Sequence, residues 1–247
     1  MVVAGCGVAG LSAAVSAREN GASVAVLERA TRDERGGQSR YTEAYLRMKS
    51  DTEVTDDFET HLAENGSGYI DPDLIEESAG PVETLSNATR AASLLSPHVI
   101  EALANGAGPT IAWLKGFGVR FDFLPTQFLT RSQPRLLPVG GGQALVDALA
   151  SRAEASGVEF LYETTATALL QDDAGQVKGL RAKRRGDGAI ELLGQVVLAS
   201  GGFEGNSEMM TRYIGPRAVY LRPVCKGGYH NRGEGIQMAL DIGAAPC

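Results

Sequence analysis

The sequence predicts an α/β fold built on a parallel sheet, and three observations predict it. A short strand, a glycine-rich turn, a helix and a second strand follow one another within the first 28 residues. The second strand, Ala22–Leu27, is apolar without polar alternation, as expected where both faces of a parallel sheet are covered. Far downstream, three strand segments separated by Asp/Gly turns read as a meander.

Val2–Ala4 is a very short apolar run, and Gly5-Cys6-Gly7-Val8-Ala9-Gly10 follows it. Leu11–Glu19 has helical spacing with small residues on one face, and Gly21 ends it. From Asp51 to Gly118 the chain is charged and strand-poor. Val82–Ser96 and Gly108–Phe117 carry helical spacing, so residues 51–137 read as a mostly helical insertion. Within it, Val119–Phe123 and Gln127–Thr130 could pair as a hairpin. Val139-Gly140-Gly141-Gly142 resets the chain, Gln143–Ala155 reads as a helix, and Val158–Tyr162 reads as a strand. The meander strands are Thr165–Leu170, Val177–Arg184 and Ile190–Leu198, and Ala199-Ser200-Gly201-Gly202 closes that part. A new region opens after Asn206, with a last helix over Gly233–Gly243.

Composition narrows the function. The chain has 247 residues and a net charge of −7, from 23 basic and 30 acidic residues. That balance disfavours general nucleic-acid binding, which needs basic surface to neutralise phosphates. No window holds the roughly 18 consecutive apolar residues of a membrane span. Cys6, Cys225 and Cys247 are odd in number and far apart, so they form neither a disulfide framework nor a zinc set. A reducing cytoplasm is the expected compartment. Met1–Ala17 is apolar and ends like a cleavage site, but it lacks a positive leading region and does not read as an export signal. The sequons at Asn65 and Asn87 then carry no meaning. No metal-ligand spacing is present, and no metal is expected.

The glycine-rich turn points to a dinucleotide because of its context. It follows a strand and opens a helix, and Glu28 ends the next strand. Gly5 allows the tight turn, Gly7 lets backbone approach a pyrophosphate, and Gly10 lets helix and strand pack closely. The helix N-terminus supplies N–H groups and positive dipole to the anion. Glu28 is placed to accept ribose hydroxyls and to repel a 2′-phosphate. The motif fits NAD and FAD alike. A doubly wound NAD domain would continue to alternate strand and helix, whereas here a helical excursion follows the second strand.

That layout resembles the FAD-binding subunits of the succinate dehydrogenase and fumarate reductase group. The matching stretches are Val2 to Glu28, Arg35-Gly36-Gly37-Gln38-Ser39, Gly140-Gly141-Gly142-Gln143-Ala144-Leu145, and Val196 through Gly201-Gly202-Phe203. Within the group, Gly36 to Met48 and Gly227 to Gly235 are similar to the tricarballylate dehydrogenase branch. The resemblance implies a Rossmann-like FAD-binding domain, with a parallel sheet plus meander, over residues 1–50 and 138–205. Residues 206–247 would then begin a substrate-capping domain. Position by position, Ala9 and Gly10 would lie under the pyrophosphate and Glu28 on the adenosine ribose. Gly36, Gly37, Gln38 and Ser39 would line the flavin end, with Ala44 behind them. Ala166 would touch adenine, Gly201 and Gly202 would pass close to the cofactor, and Glu234 would reach FAD.

The implied activity is FAD-dependent oxidation of adjacent carbons in a small carboxylate, with tricarballylate to aconitate as the specific expectation and an unidentified electron acceptor. A 3-oxosteroid or enoyl-type flavin oxidoreductase is the near alternative, and a non-catalytic FAD-binding fragment is another. The fragment reading arises because the family continues well beyond the point where this sequence stops, with the histidine and arginine that handle substrate. Among the residues present, His230 and Arg232 are the candidates for substrate contact, since Arg232 could clamp a carboxylate. The other reading makes them polar residues of a turn that caps the following helix. Arg40 and Arg47 are further candidate anion contacts, or plain surface arginines. His61 and His98 read as surface residues, and Cys6 as a small packed side chain.

Overall fold

The structure, a computed structural model, describes residues 1–54, 97–124 and 135–245. In chain order its elements are β1 (Val2–Ala4), α1 (Val8–Glu19), β2 (Ala25–Leu27), β3 (Leu46–Arg47), α2 (Pro97–Gly116), β4 (Phe121–Phe123), β5 (Arg135–Pro138) and α3 (Gly141–Ala155). There follow β6 (Glu159–Leu161), β7 (Thr164–Gln171), β8 (Val177–Arg184), β9 (Gly188–Leu193), β10 (Val196–Leu198), α4 (Ser207–Ile214) and α5 (Glu234–Asp241). They fall into two compact units, Met1–Ala44 with Gly140–Cys247, and Tyr45–Val139.

The first unit is layered. A parallel sheet of order β10-β1-β2-β6 pairs Val3 with Val26 on one side and with Val197 on the other. Side chains alternate across it. Val2, Ala4, Leu27 and Leu161 pack with Leu180 and Ala182 of the antiparallel β7-β8-β9 meander. Buried Leu11, Ala14 and Val15 of α1 pack against α3, which buries Val146, Leu149 and Ala150. The small residues noted in the α1 sequence are what allow this close approach.

The expected strand 190–198 is in fact two strands in two sheets. The chain breaks at Gly194, whose φ of 144° is closed to side-chain-bearing residues. Its N–H still donates to the Lys178 carbonyl at 2.8 Å, and then the chain leaves the meander for the parallel sheet. Sequence did not show the break because apolar residues stand on both sides of Gly194-Gln195; in the structure β9 alternates exposed with half-buried positions from Ala189 on, whereas all three residues of β10 are half-buried.

The second unit holds the antiparallel sheet β3-β5-β4 and α2 around Met48, Ile111 and Leu136. Phe121–Phe123 pairs with Pro138–Leu136, so β4 takes β5 as its partner rather than the expected segment 127–130. That segment lies outside the described residues, as do His61, the stretch 82–96 and Cys247. The helix expected over 108–117 begins at Pro97 and carries Pro109 within it. The division falls at Ala44 and Gly140 rather than at residues 50 and 138, since Leu46–Arg47 pair with β5. Residues 206–245, expected to open a separate domain, lie in the first unit, where α5 packs on β7.

Candidate cofactor site

Everything in the site belongs to the first unit and grows from the β1–α1 turn. Gly5 donates to the Leu27 carbonyl at 2.9 Å and holds φ at 114°. A Cβ on Gly5 would overlap the Ala199 carbonyl, and one on Gly10 would overlap the Gly5 carbonyl. The turn is therefore closed to any side chain at either position. First-turn N–H groups of a helix have no acceptor within it. Gly7, the residue before α1, has no side chain to cap them, and Ser39 Oγ accepts from the Val8 N–H at 3.1 Å.

Glu28 directly follows β2 and is buried, at 8% exposure. Its carboxylate is held from two sides, Oε2 accepting from the Cys6 N–H at 3.1 Å and Oε1 from the Ala30 N–H at 2.8 Å. Burial pushes the neighbouring Cys6 thiol up to about 12, with the Glu28 charge adding to the rise. Cys6 is thus a packed neutral thiol, not a nucleophile. Next to Glu28, Arg29 forms an ion pair at 3.1 Å with Glu234, the first residue of α5. Close by, Arg35 donates to Glu154 at 2.6 Å and to the Tyr162 hydroxyl at 2.9 Å. Burial alone would raise the Glu154 carboxyl, but Arg35 and Arg32 together hold it below the ordinary range.

Three loops meet elsewhere in the unit. Gln38 and Asn231 both donate to Glu204 Oε1, the latter at 2.7 Å. The Cys225 thiol donates to Gln38 Oε1 at 3.4 Å. Backbone stitches two of the loops as well: Gly205 donates to the Asn231 carbonyl at 2.8 Å and Gly233 to the Gly202 carbonyl at 3.1 Å.

A single cleft of about 900 Å³ runs past these groups. Of the residues expected from sequence, Gly5, Gly7, Ala9, Glu28, Gly36, Gly37, Gln38, Ser39, Ala166, Gly201, His230 and Glu234 line it. Gly10 does not, because it is packed behind the turn it permits. Gly202 is not a lining residue, Ala44 sits at the unit boundary, and Arg232 is exposed outside the cleft. Arg40 donates to Gln143 at 2.6 Å, and Arg47 is exposed on β3 of the second unit. Sequence reasoning missed Cys6, Arg29, Thr164, Phe203 and Asn231 as lining residues, and Glu204 behind them. The available signal for Glu204 was a carboxylate two residues past a Gly-Gly pair. Among the described residues, no group of three or more His, Cys, Asp or Glu side chains could hold a metal.

The whole chain, residues 1–247, matches the family described as FAD binding domain. The chain belongs to that family. Its cofactor is FAD, and the residues present fit it. The Gly5–Gly10 turn is a cradle that a Cβ would fill, the residue before α1 is a glycine with no side chain of its own over the helix N-terminus, and the cleft is of cofactor-site size. Over 99% of its length the FAD-binding chain is 28% identical to vinyl phenol reductase of Lactiplantibacillus plantarum, covering 45% of that protein. It is 24% identical to fumarate reductase (cytochrome) of Shewanella frigidimarina, again over 99% of the chain and 40% of the relative. The chain thus spans less than half the length of either. In fold it matches 3-ketosteroid-Δ4-(5α)-dehydrogenase of Rhodococcus jostii RHA1 in complex with 4-androstene-3,17-dione. That match has a TM-score of 0.68 and 23% identity, and covers 99% of this chain and 53% of that one. No helix among the described residues is long and apolar enough to cross a membrane.

Proposed function

We propose that this chain is the FAD-binding part of an oxidoreductase that transfers hydrogen at a carbon–carbon bond activated by a neighbouring carboxylate, carbonyl or aryl group. The observation that carries the proposal is the single cleft joining the Gly5–Gly10 turn and Glu28 to Gln38, Gly201 and His230. The relatives support the substrate class, since fumarate, a vinyl phenol and 4-androstene-3,17-dione share an activated carbon–carbon double bond.

In this reading Glu28 accepts the adenosine ribose hydroxyls with the lone pairs that Cys6 and Ala30 leave open, and Ala166 borders the adenine. The α1 N-terminus and Ala9 hold the pyrophosphate. Gly36, Gly37, Gln38, Ser39 and Gly201 form the flavin end, Glu234 is oriented by Arg29, and His230 is the titratable group positioned to hold or move a substrate proton. Arg232, outside the cleft, is given no role. FAD, when bound, supplies hydride transfer to or from the substrate carbon, and the protein supplies position and electrostatics. Tricarballylate is the specific small carboxylate to test, with an external electron acceptor. The cytoplasm is the proposed compartment, supported by Cys6 and Cys225 both being free thiols.

The test is FAD titration of the purified chain by flavin fluorescence and absorption. Fumarate, 4-vinylphenol, androstenedione and tricarballylate are then each added to the loaded protein. Binding of FAD is expected, with at least one of the four perturbing the flavin spectrum while succinamide and cyclohexanol do not. A protein that ignores FAD would overturn the cofactor site. One that binds FAD but responds to none of the four would overturn the substrate class.

A further inference from the structure

Glu204 stands behind the cleft wall and is bonded to two side chains that form it. It does not line the cleft, whereas Gln38 and Asn231 do. Its Oε1 accepts from Gln38 Nε2 and from Asn231 Nδ2. A carboxylate is an acceptor only, so each amide can meet it solely through its NH2 end. That decides the orientation of both amides. For Gln38 the other end agrees, since its Oε1 takes the Cys225 thiol hydrogen at 3.4 Å. For Asn231 the amide is pressed against Gly201, where a Cβ would stand 2.7 Å from Oδ1.

We propose that Glu204 is a positioning residue for the flavin end of the cofactor, one carboxylate that fixes the two amides Gln38 and Asn231 and holds a negative charge behind them. The inference rests on the cofactor reading above. An amide NH2 has two hydrogens. Glu204 takes one from each residue, and the planarity of the amide then fixes the direction of the second. Without Glu204, both amides could flip end for end, and each would lose order that cofactor binding must then restore. The loops that carry Glu204 and Asn231 are already joined by backbone bonds, Gly205 to the Asn231 carbonyl and Gly233 to the Gly202 carbonyl, and the Gln38 loop packs against Gly227, where a Cβ would overlap the Gly37 carbonyl. The carboxylate adds amide orientation and charge where these loops meet.

The experiment compares wild type, Glu204→Gln and Glu204→Asp, each carrying FAD. Glutamine has the same size but can donate as well as accept, so it releases the fixed orientation and removes the charge. Aspartate keeps the charge and shortens the reach. The FAD dissociation constant is expected to rise about tenfold in Glu204→Gln, the loss of one charge-assisted hydrogen bond. The flavin midpoint potential is expected to rise in the same variant, because a nearby negative charge opposes the gain of electrons. Glu204→Asp is expected to keep the wild-type potential while binding FAD more weakly. Far-UV circular dichroism of the apo proteins separates these effects from misfolding. If Glu204→Gln does not fold, Glu204→Asp alone decides, since a wild-type affinity in it would overturn the inference. Wild-type affinity, spectrum and potential in Glu204→Gln would overturn the positioning role and leave the cofactor site standing. A wild-type chain that takes up no FAD would overturn both.

Discussion

Replacing Glu28 by alanine tests the site at its most buried charged group. The Glu28 side chain accepts the Cys6 N–H at 3.1 Å and the Ala30 N–H at 2.8 Å, so its removal leaves two donors without an acceptor. An orphaned buried donor costs about 1–3 kcal/mol. Glu28 lines the cleft, so water can replace part of the lost acceptor, and the low end of that range applies. Two donors at about 1 kcal/mol each give a loss of about 2 kcal/mol. For a protein of this size that lowers Tm by about 4–8 °C. Glu28→Gln keeps one acceptor oxygen and turns an NH2 toward the other donor, so it should fall between wild type and alanine. Thermal unfolding of the three apo proteins by circular dichroism gives this order directly. FAD titration of the same proteins adds the ribose contact, and Glu28→Ala is expected to bind FAD about 5–150-fold more weakly. Equal Tm values across the three would refute the stability reasoning, and an unchanged FAD affinity would remove Glu28 from the adenosine end.

Gly10→Ala puts a methyl group into the Gly5 carbonyl. It should cost about 1–3 kcal/mol in urea unfolding and weaken FAD binding, whereas a neutral result would show that α1 can shift freely on β1. Cys6, pushed by burial from 9.0 to about 12, should resist thiol reagents at pH 8 in the folded protein while half-buried Cys225 reacts, as read by peptide mapping. The same shift gives stability a sign. The unfolded chain loses the thiol proton first, so stability should decline as pH rises from 9.0 toward about 12, and Cys6→Ala should flatten that decline. Glu154 moves the other way. Its carboxyl is held below 4.5 by Arg35 and Arg32 against its burial, so its contribution is present above pH 4.5 and fades as pH falls below it. Arg35→Met should raise the midpoint of acid unfolding, and an unmoved midpoint would count against the pairing.

Much of the site was legible in the sequence because its requirements are local. Gly5, Gly7 and Gly10 announce a turn that excludes side chains, and the apolar run ending at Glu28 places that carboxylate at the end of the neighbouring strand. Spacing along one βαβ unit fixes these positions without any knowledge of the rest of the chain. The meander was legible for a similar reason, since its turns carry Asp and Gly where left-handed backbone is needed. What tertiary structure alone decided are the contacts between segments far apart in the chain. Ile190–Leu198 reads as one strand, and only pairing with β8 on one side and β1 on the other divides it at Gly194. Arg232 reads like a carboxylate clamp beside His230, but the loop turns His230 to the cleft and leaves Arg232 in solvent. Glu204 reads as a loop carboxylate, and it becomes the acceptor for Gln38 and Asn231 only when three loops converge. Sequence carries the rules of a turn, a strand or a helix cap, because those depend on neighbours a few residues apart. It does not carry the partner of a polar side chain, because a hydrogen bond depends on distances in space that only the packed fold sets.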